Sequence, residues 1–218
     1  MALRLNGATS GFVELNAPDS AASNTLTLPD GNGTSGQYLQ TDGSGGLSWQ
    51  TVTDDAGAEW VDGTSQSASG SNEVLFTGLP TNVKEVVVTL MGVSWTTGSN
   101  LQFQLGTSSG LVGGSDYLHG YAYFQQASSV AGGRVDSNAF VLGVWTSENH
   151  SVRGAIRFTN TTGNDWVANG QFSSSMDNTI VVISGGLPLG GTLERIAIQN
   201  RAGNNFDAGT VNIHYITT

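Results

Sequence analysis

The chain contains no cysteine, which excludes a disulfide framework, a thiolate metal site and a thiol nucleophile. Bases are almost as scarce. Seven Lys and Arg stand against seventeen Asp and Glu, for a formal net charge of −10, and Lys84 is the only lysine. Neutralising phosphates takes clustered Lys and Arg, so no nucleic-acid partner is expected, and anionic membranes are disfavoured for the same reason. No apolar run approaches the roughly 20 residues of a spanning helix, and the first twenty residues lack the apolar stretch of a signal peptide. Neither membrane insertion nor export is therefore expected. Charged residues make up only 11% of the sequence, against about 25% in soluble domains, so the surface must be built from Ser, Thr, Asn and Gly.

What is abundant is glycine, 31 of 218 residues, together with Thr, Val and Asn, a profile that favours strands and turns over helices. The expected fold is all-β. Residues 1–52 carry short alternating pieces, Phe12-Val13-Glu14-Leu15, Leu26-Thr27-Leu28 and Tyr38-Leu39-Gln40, between loop clusters such as Pro29 to Gly33 and Asp42 to Gly46. These pieces are too short and polar to bury a core alone, which leaves two readings: a partly disordered tail, or a strand module completed by other copies of the chain. Residues 53–59 read as a linker, and Glu59 to Gly63 as the beginning of the first strand of the larger domain. Residues 60–218 offer nine strand candidates with turn signals between most of them: Val74–Phe76, Glu85–Leu90, Leu101–Leu105, Phe140–Trp145, Gly154–Phe158, Trp166–Phe172, Thr179–Ile183, Leu193–Ile198 and Thr210–Ile216. Regular short strands of this kind predict a β-sandwich, jelly-roll-like. Its core should include Val86, Val88, Leu90, Phe103, Ile156, Phe158, Trp166, Ile196, Ile198, Val211 and Ile213. The run Val86-Val87-Val88 predicts burial on both faces, and the uneven spacing of Leu193, Ile196 and Ile198 predicts a bulge near Arg195.

Catalytic patterns are missing. His119, His150 and His214 are far apart and form no metal-ligand spacing. His214 alternates with Asn212 on the polar face of a strand, as a surface or subunit-contact histidine would. There is neither a nucleophile elbow nor a phosphate-binding glycine loop. Asp116, Asp136, Glu148, Asp165, Asp177 and Asp207 provide carboxylates, but spacing selects no pair for glycoside hydrolysis. Asn164-Asp165 and Asn204-Asn205 with Asp207 have calcium-like oxygens without ordered ligand spacing, and residues of this type in turns bond their own backbone. No enzyme activity, metal or cofactor is expected.

The segment LERIAIQNRAGNNFDAGTVNIHYI, Leu193 to Ile216, has two alternating strands around a polar loop. It resembles the closing hairpin of a β-sandwich found at the ends of bacteriophage tail fibres. The resemblance continues upstream through FTGLP (Phe76–Pro80), VKEVVVTLMGVSW (Val83–Trp95), FQLGTSSGLV (Phe103–Val112) and RFTNTTGNDWVANG (Arg157–Gly170). GTSGQYLQTDGSGGLSW (Gly33–Trp49) is similar to fibre repeat units. What this implies is a non-enzymatic virion protein, assembled in the host bacterial cytoplasm and carried on the tail. It would be a homotrimer joined to other virion proteins through residues 1–52, with Trp49 between subunits and a knob displaying an adhesive surface for a host glycan or surface protein. Trp166 and Phe206 match the sandwich as core residues, and Asp207 as a hairpin residue.

The stretch from Gly113 to Val152 departs from the fibre pattern, and loops on a rigid sandwich commonly carry recognition. Aromatic faces stack on sugars while amides and imidazoles meet hydroxyls. The expected receptor contacts are therefore Trp95, Tyr117, His119, Tyr121, Tyr123, Trp145 and Asn149, although Tyr121 and Tyr123, two apart, equally suit core packing. Fibres usually have a long shaft, whereas only about 52 residues precede this knob. A capsid decoration protein is accordingly an alternative, and a polysaccharide-cleaving tailspike a remoter one, since no long β-helix repeat is present.

Overall fold

The computed structural model describes residues 3–16, 18–20, 22–52, 59–96, 99–114, 116–124, 130–143, 151–175 and 179–217, with side chains described throughout except at 130, 131 and 134–137. Strands are the only regular elements among them, and the fold is all-β. The chain divides into two compact units, residues 1–56 and 57–218. Of the expected linker, residues 53–58 lie outside the described residues, and Glu59 already opens a strand.

The described part of the first unit carries two hairpins, and of the expected Leu26–Leu28 piece only Thr27 makes a bridge, to Gly46. β1 (Leu3–Asn6) pairs antiparallel with β2 (Phe12–Leu15) so that Leu3 faces Leu15 and Leu5 faces Val13. Because side chains alternate along a strand, these four apolar residues share one face. Each is more than half exposed. The opposite face carries Arg4 and Glu14, 2.8 Å apart, with the Arg4 guanidinium 3.9 Å from the centre of the Phe12 ring. β3 (Gln37–Thr41) pairs with β4 (Leu47–Thr51). Its turn is tied by the Asp42 carboxylate, which accepts from the Ser44 and Gly46 amides at 2.7 and 2.9 Å. Those N–H groups stabilise the charged form and hold the carboxyl below its ordinary value. Trp49 donates from Nε1 to the Gly31 carbonyl at 2.6 Å, and a Cβ at Gly33 would stand 2.7 Å from the indole. The ring thus packs on its own glycine loop.

The second unit contains β5 (Glu59–Asp62), β6 (Gln66–Ser67), β7 (Glu73–Thr77), β8 (Val83–Trp95), β9 (Leu101–Thr107), β10 (Gly110–Leu111), β11 (Tyr117–Phe124), β12 (Val130–Ser137), β13 (Phe140–Leu142), β14 (Val152–Thr162), β15 (Asp165–Ser174), β16 (Thr179–Pro188), β17 (Arg195–Asn200) and β18 (Phe206–Thr217). They form a large antiparallel sheet, in the order β12-β11-β16-β15-β14-β8-β18-β5 with β6 on β18, and a smaller, curled sheet, β10-β9-β17-β7 with β13 on β9. Of residues 113–152, expected to carry the recognition loops, Tyr117–Phe124 and Val130–Ser137 instead form β11 and β12, while β13 falls within the strand expected at Phe140–Trp145.

The two sheets face each other across one apolar core. Phe103 of β9 lies 5.7 Å from Phe172 of β15, stacked, and 6.3 Å from Phe158 of β14, edge-on. Phe140 of β13 meets Phe158 at 5.7 Å. Every core residue expected from sequence, from Val86 to Ile213, is buried. Val87 is a correction: Val86 and Val88 are fully buried, but Val87 is only half-buried, because it points to the open outer face of the large sheet. The bulge expected near Arg195 is a second correction. β17 pairs without a register shift from Arg195 to Asn200, and the spacing looked uneven because Leu193 precedes the strand.

A bulge does occur in β8. Between Met91 and Val93 the pairing to β14 skips Gly92, whose φ is +69°, a conformation that favours glycine. Across from it in β18, Gly209 has φ +101°, and a Cβ there would lie 2.5 Å from the Gly92 carbonyl oxygen and Val93 Cα. The inward set of β8 therefore changes phase, from Val86, Val88 and Leu90 to Val93 and Trp95. Register with β18 shifts again between Phe206 and Ala208, where Asp207 accepts a hydrogen bond from the Ser94 hydroxyl.

Candidate functional site

Three of the expected receptor residues belong to the core. Trp95 is fully buried at the end of β8, edge-on to Phe206 with ring centres 6.1 Å apart. Tyr117 is also fully buried, and its hydroxyl accepts from Leu105 N at 2.9 Å and reaches the carbonyls of Leu105 and Val112 at 3.2 and 3.1 Å. Burial pushes this phenol above its ordinary pKa, partly opposed by the bond from Leu105. His119 is 2% exposed and accepts at Nε2 from the Val141 amide at 3.0 Å, beside the Phe140 ring. None of the three can touch a ligand while the sandwich is intact, which corrects their expected role to that of scaffold.

Tyr117 therefore yields a stability prediction. Tyr117→Phe leaves Leu105 N without its acceptor in the core and should cost about 1–3 kcal/mol, read as a lower urea midpoint at unchanged m-value.

Tyr121 and Tyr123 are half-buried and pack against the core. The Tyr121 ring occupies the space a side chain at Gly143 would need. Their two-residue spacing reflects the inner face of β11. Trp145 and Asn149 lie outside the described residues. His214 is on the surface, its Nδ1 2.6 Å from Asp62 Oδ1 of the neighbouring strand β5. Among the described residues no three His, Asp or Glu side chains converge as metal ligands.

The opposite, outward face of the large sheet is open. Among the described residues, the large apolar side chains exposed in this unit lie on it: Trp60, Met91, Leu118, Phe124, Val167 and Ile180. Alternation and register place Leu118, Gly120, Ala122 and Phe124 of β11 in one outward row. It runs beside Gly186, Ser184, Val182 and Ile180 of β16, and then Val167, Asn169, Gln171 and Ser173 of β15. In the β11 row Leu118 and Phe124 stand at the ends with Gly120 and Ala122 between them, and Val167 and Ile180 flank the same two ends on β15 and β16.

The result is a groove along β15 and β16 made of three open depressions. One, of about 450 Å³, is bordered by Leu118, Val167, Pro188, Asp116 and Asp165. The central one, of about 510 Å³, has Gly120, Ala122, Val182, Asn169 and Ser184 on its walls. The third, of about 260 Å³, lies by Arg153, Gln171, Ser173 and Ile180. From Asp165 to Ser173 the groove runs for roughly 26 Å at the usual strand rise. The Ser184 hydroxyl donates to Asn169 Oδ1 at 2.9 Å, which leaves the Asn169 amide nitrogen as a donor and the Ser184 lone pairs as acceptors toward the groove.

Nothing in the sequence singled out this face. Its floor is Gly, Ala, Ser and Asn drawn from three strands, and only the register of β11, β16 and β15 brings them together. No family model matches the sequence, and no curated protein matches it significantly.

Proposed function

We propose that the chain is a bacteriophage virion fibre or spike protein. In this reading it is a homotrimer that joins other virion proteins through residues 1–52 and binds a glycan or protein of the bacterial surface through the β-sandwich, without catalysis or cofactor. The observation that carries the proposal is the β1–β2 hairpin. Leu3, Leu5, Val13 and Leu15 form an apolar face more than half exposed, and a two-stranded hairpin is not stable alone in water. Other copies of the same hairpin complete such a face, and the fibre-like segments Gly33–Trp49 and Leu193–Ile216 agree with that arrangement.

Binding by a trimer is strengthened through effective concentration, so each contact can be weak. The test is competition. Purified protein should block adsorption of virions that carry this chain, and gold-labelled antibody should decorate their tails. Label on the capsid with adsorption unaffected would overturn the adhesin in favour of a decoration protein.

A further inference from the structure

The groove along β15 and β16 has the chemistry of a saccharide site, and we infer that it binds a linear, uncharged glycan lying along the strands. This rests on the adhesin reading and names its ligand class and its location. The outward side chains of its central part carry no charge: Gly120, Ala122, Asn169, Gln171, Val182 and Ser184. Apolar side chains at the two ends, Leu118 with Val167 and Phe124 with Ile180, remain between 37% and 51% exposed. These can cover the C–H faces of sugar rings, while the amides and hydroxyl between them exchange hydrogen bonds with ring hydroxyls. A depression of a few hundred Å³ with few polar groups suits a small-molecule unit, and three in a line suit successive units of a polymer.

Other occupants fit less well. An extended peptide would add to a sheet by pairing backbone at an edge, but β15 and β16 are each paired on both sides and have no free ladder to offer. Asp116 and Asp165 border one end, and the net charge is −10, so polyanionic chains are repelled. Arg153, at the other end, can donate to hydroxyls. Arg157, on the adjoining strand, is already paired with Glu85 at 3.2 Å.

The experiment applies the full-length protein to an array of bacterial neutral and acidic glycans, alongside Ala122→Trp and Ser184→Trp, which fill the central depression. Both positions face outward, so the folded state should be kept, as shown by an unchanged melting temperature. The expected result is binding to neutral glycans, reduced roughly tenfold or more in both variants. Ser184→Ala is a milder second variant: it removes one hydroxyl and should weaken the same glycans without changing which are bound. Binding confined to acidic glycans, binding undiminished in the folded Trp variants, or no glycan bound at all would overturn the groove assignment. So would a change of oligomeric state in the Trp variants, which would mark the face as a subunit contact. If the groove fails while the protein still blocks virion adsorption, the adhesin reading stands with another surface. If adsorption is not blocked either, both fall.

Discussion

Phe103→Ala should cost the sandwich about 3–5 kcal/mol. The ring is fully buried and touches both partners that join the sheets, Phe158 and Phe172. Removing it leaves a void at the centre of the interface, where backbone ladders on either side prevent collapse. Chemical denaturation of the variant should show the lost stability as a lower midpoint with an unchanged slope. Phe124→Ala is the internal control. That ring is 46% exposed on the outer face, and its loss should cost less than about 1 kcal/mol. Equal effects of the two substitutions would mean that the sheets do not meet through Phe103.

The second large effect concerns assembly. Leu5→Asp combined with Leu15→Asp should convert a trimer into monomers in sedimentation velocity, because it would bring like charges, two from each copy, into an apolar contact where they are neither hydrated nor paired. The sandwich should keep its melting transition, since the described residues of its core all lie between Ala68 and Tyr215. A wild-type protein that sediments as a monomer, or a double variant that remains trimeric, would remove the argument for self-assembly through this hairpin.

These two outcomes bear on how much could be read from sequence. The core was legible because alternation in β8, β14, β15 and β18 marks inward residues whatever their neighbours are. The exposed hairpin was half legible: Phe12–Leu15 read as a strand too short and polar to enclose a core, whereas its partner Leu3–Asn6 was not singled out. β11 and β12 were not. VAGGRVDS has no apolar alternation, and its strand character comes from pairing with YLHGYAYF, a long-range contact invisible in local pattern. The aromatic candidates failed for a related reason. Residue type does not say which face a side chain takes, so Trp95, Tyr117 and His119, suited to a sugar site by chemistry, are committed to the interior by register. The groove was hidden because small residues carry no individual signal. The phase change in β8 was missed as well: the sequence pattern points to a bulge near Arg195, whereas the apolar period slips at Gly92, between Leu90 and Val93.

That slip has a consequence for how the chain tolerates changes in length. Losing one residue from a central strand ordinarily inverts every side chain beyond it. Here Gly92 is itself the supernumerary residue. Deleting it would put Val86, Val88, Leu90, Val93 and Trp95 into one uninterrupted alternation and pair Val93 beside Met91 on β14 without a gap. The mismatch would pass to β18, at Asp207, where the register shifts a second time. The two extra residues therefore form a matched pair, and removal of both restores a continuous ladder that removal of either alone does not. Gene-length variation in this strand pair should accordingly occur by coupled deletions, with a defect at one position suppressed by a defect at the other, more than a hundred residues away in the chain and adjacent in the sheet.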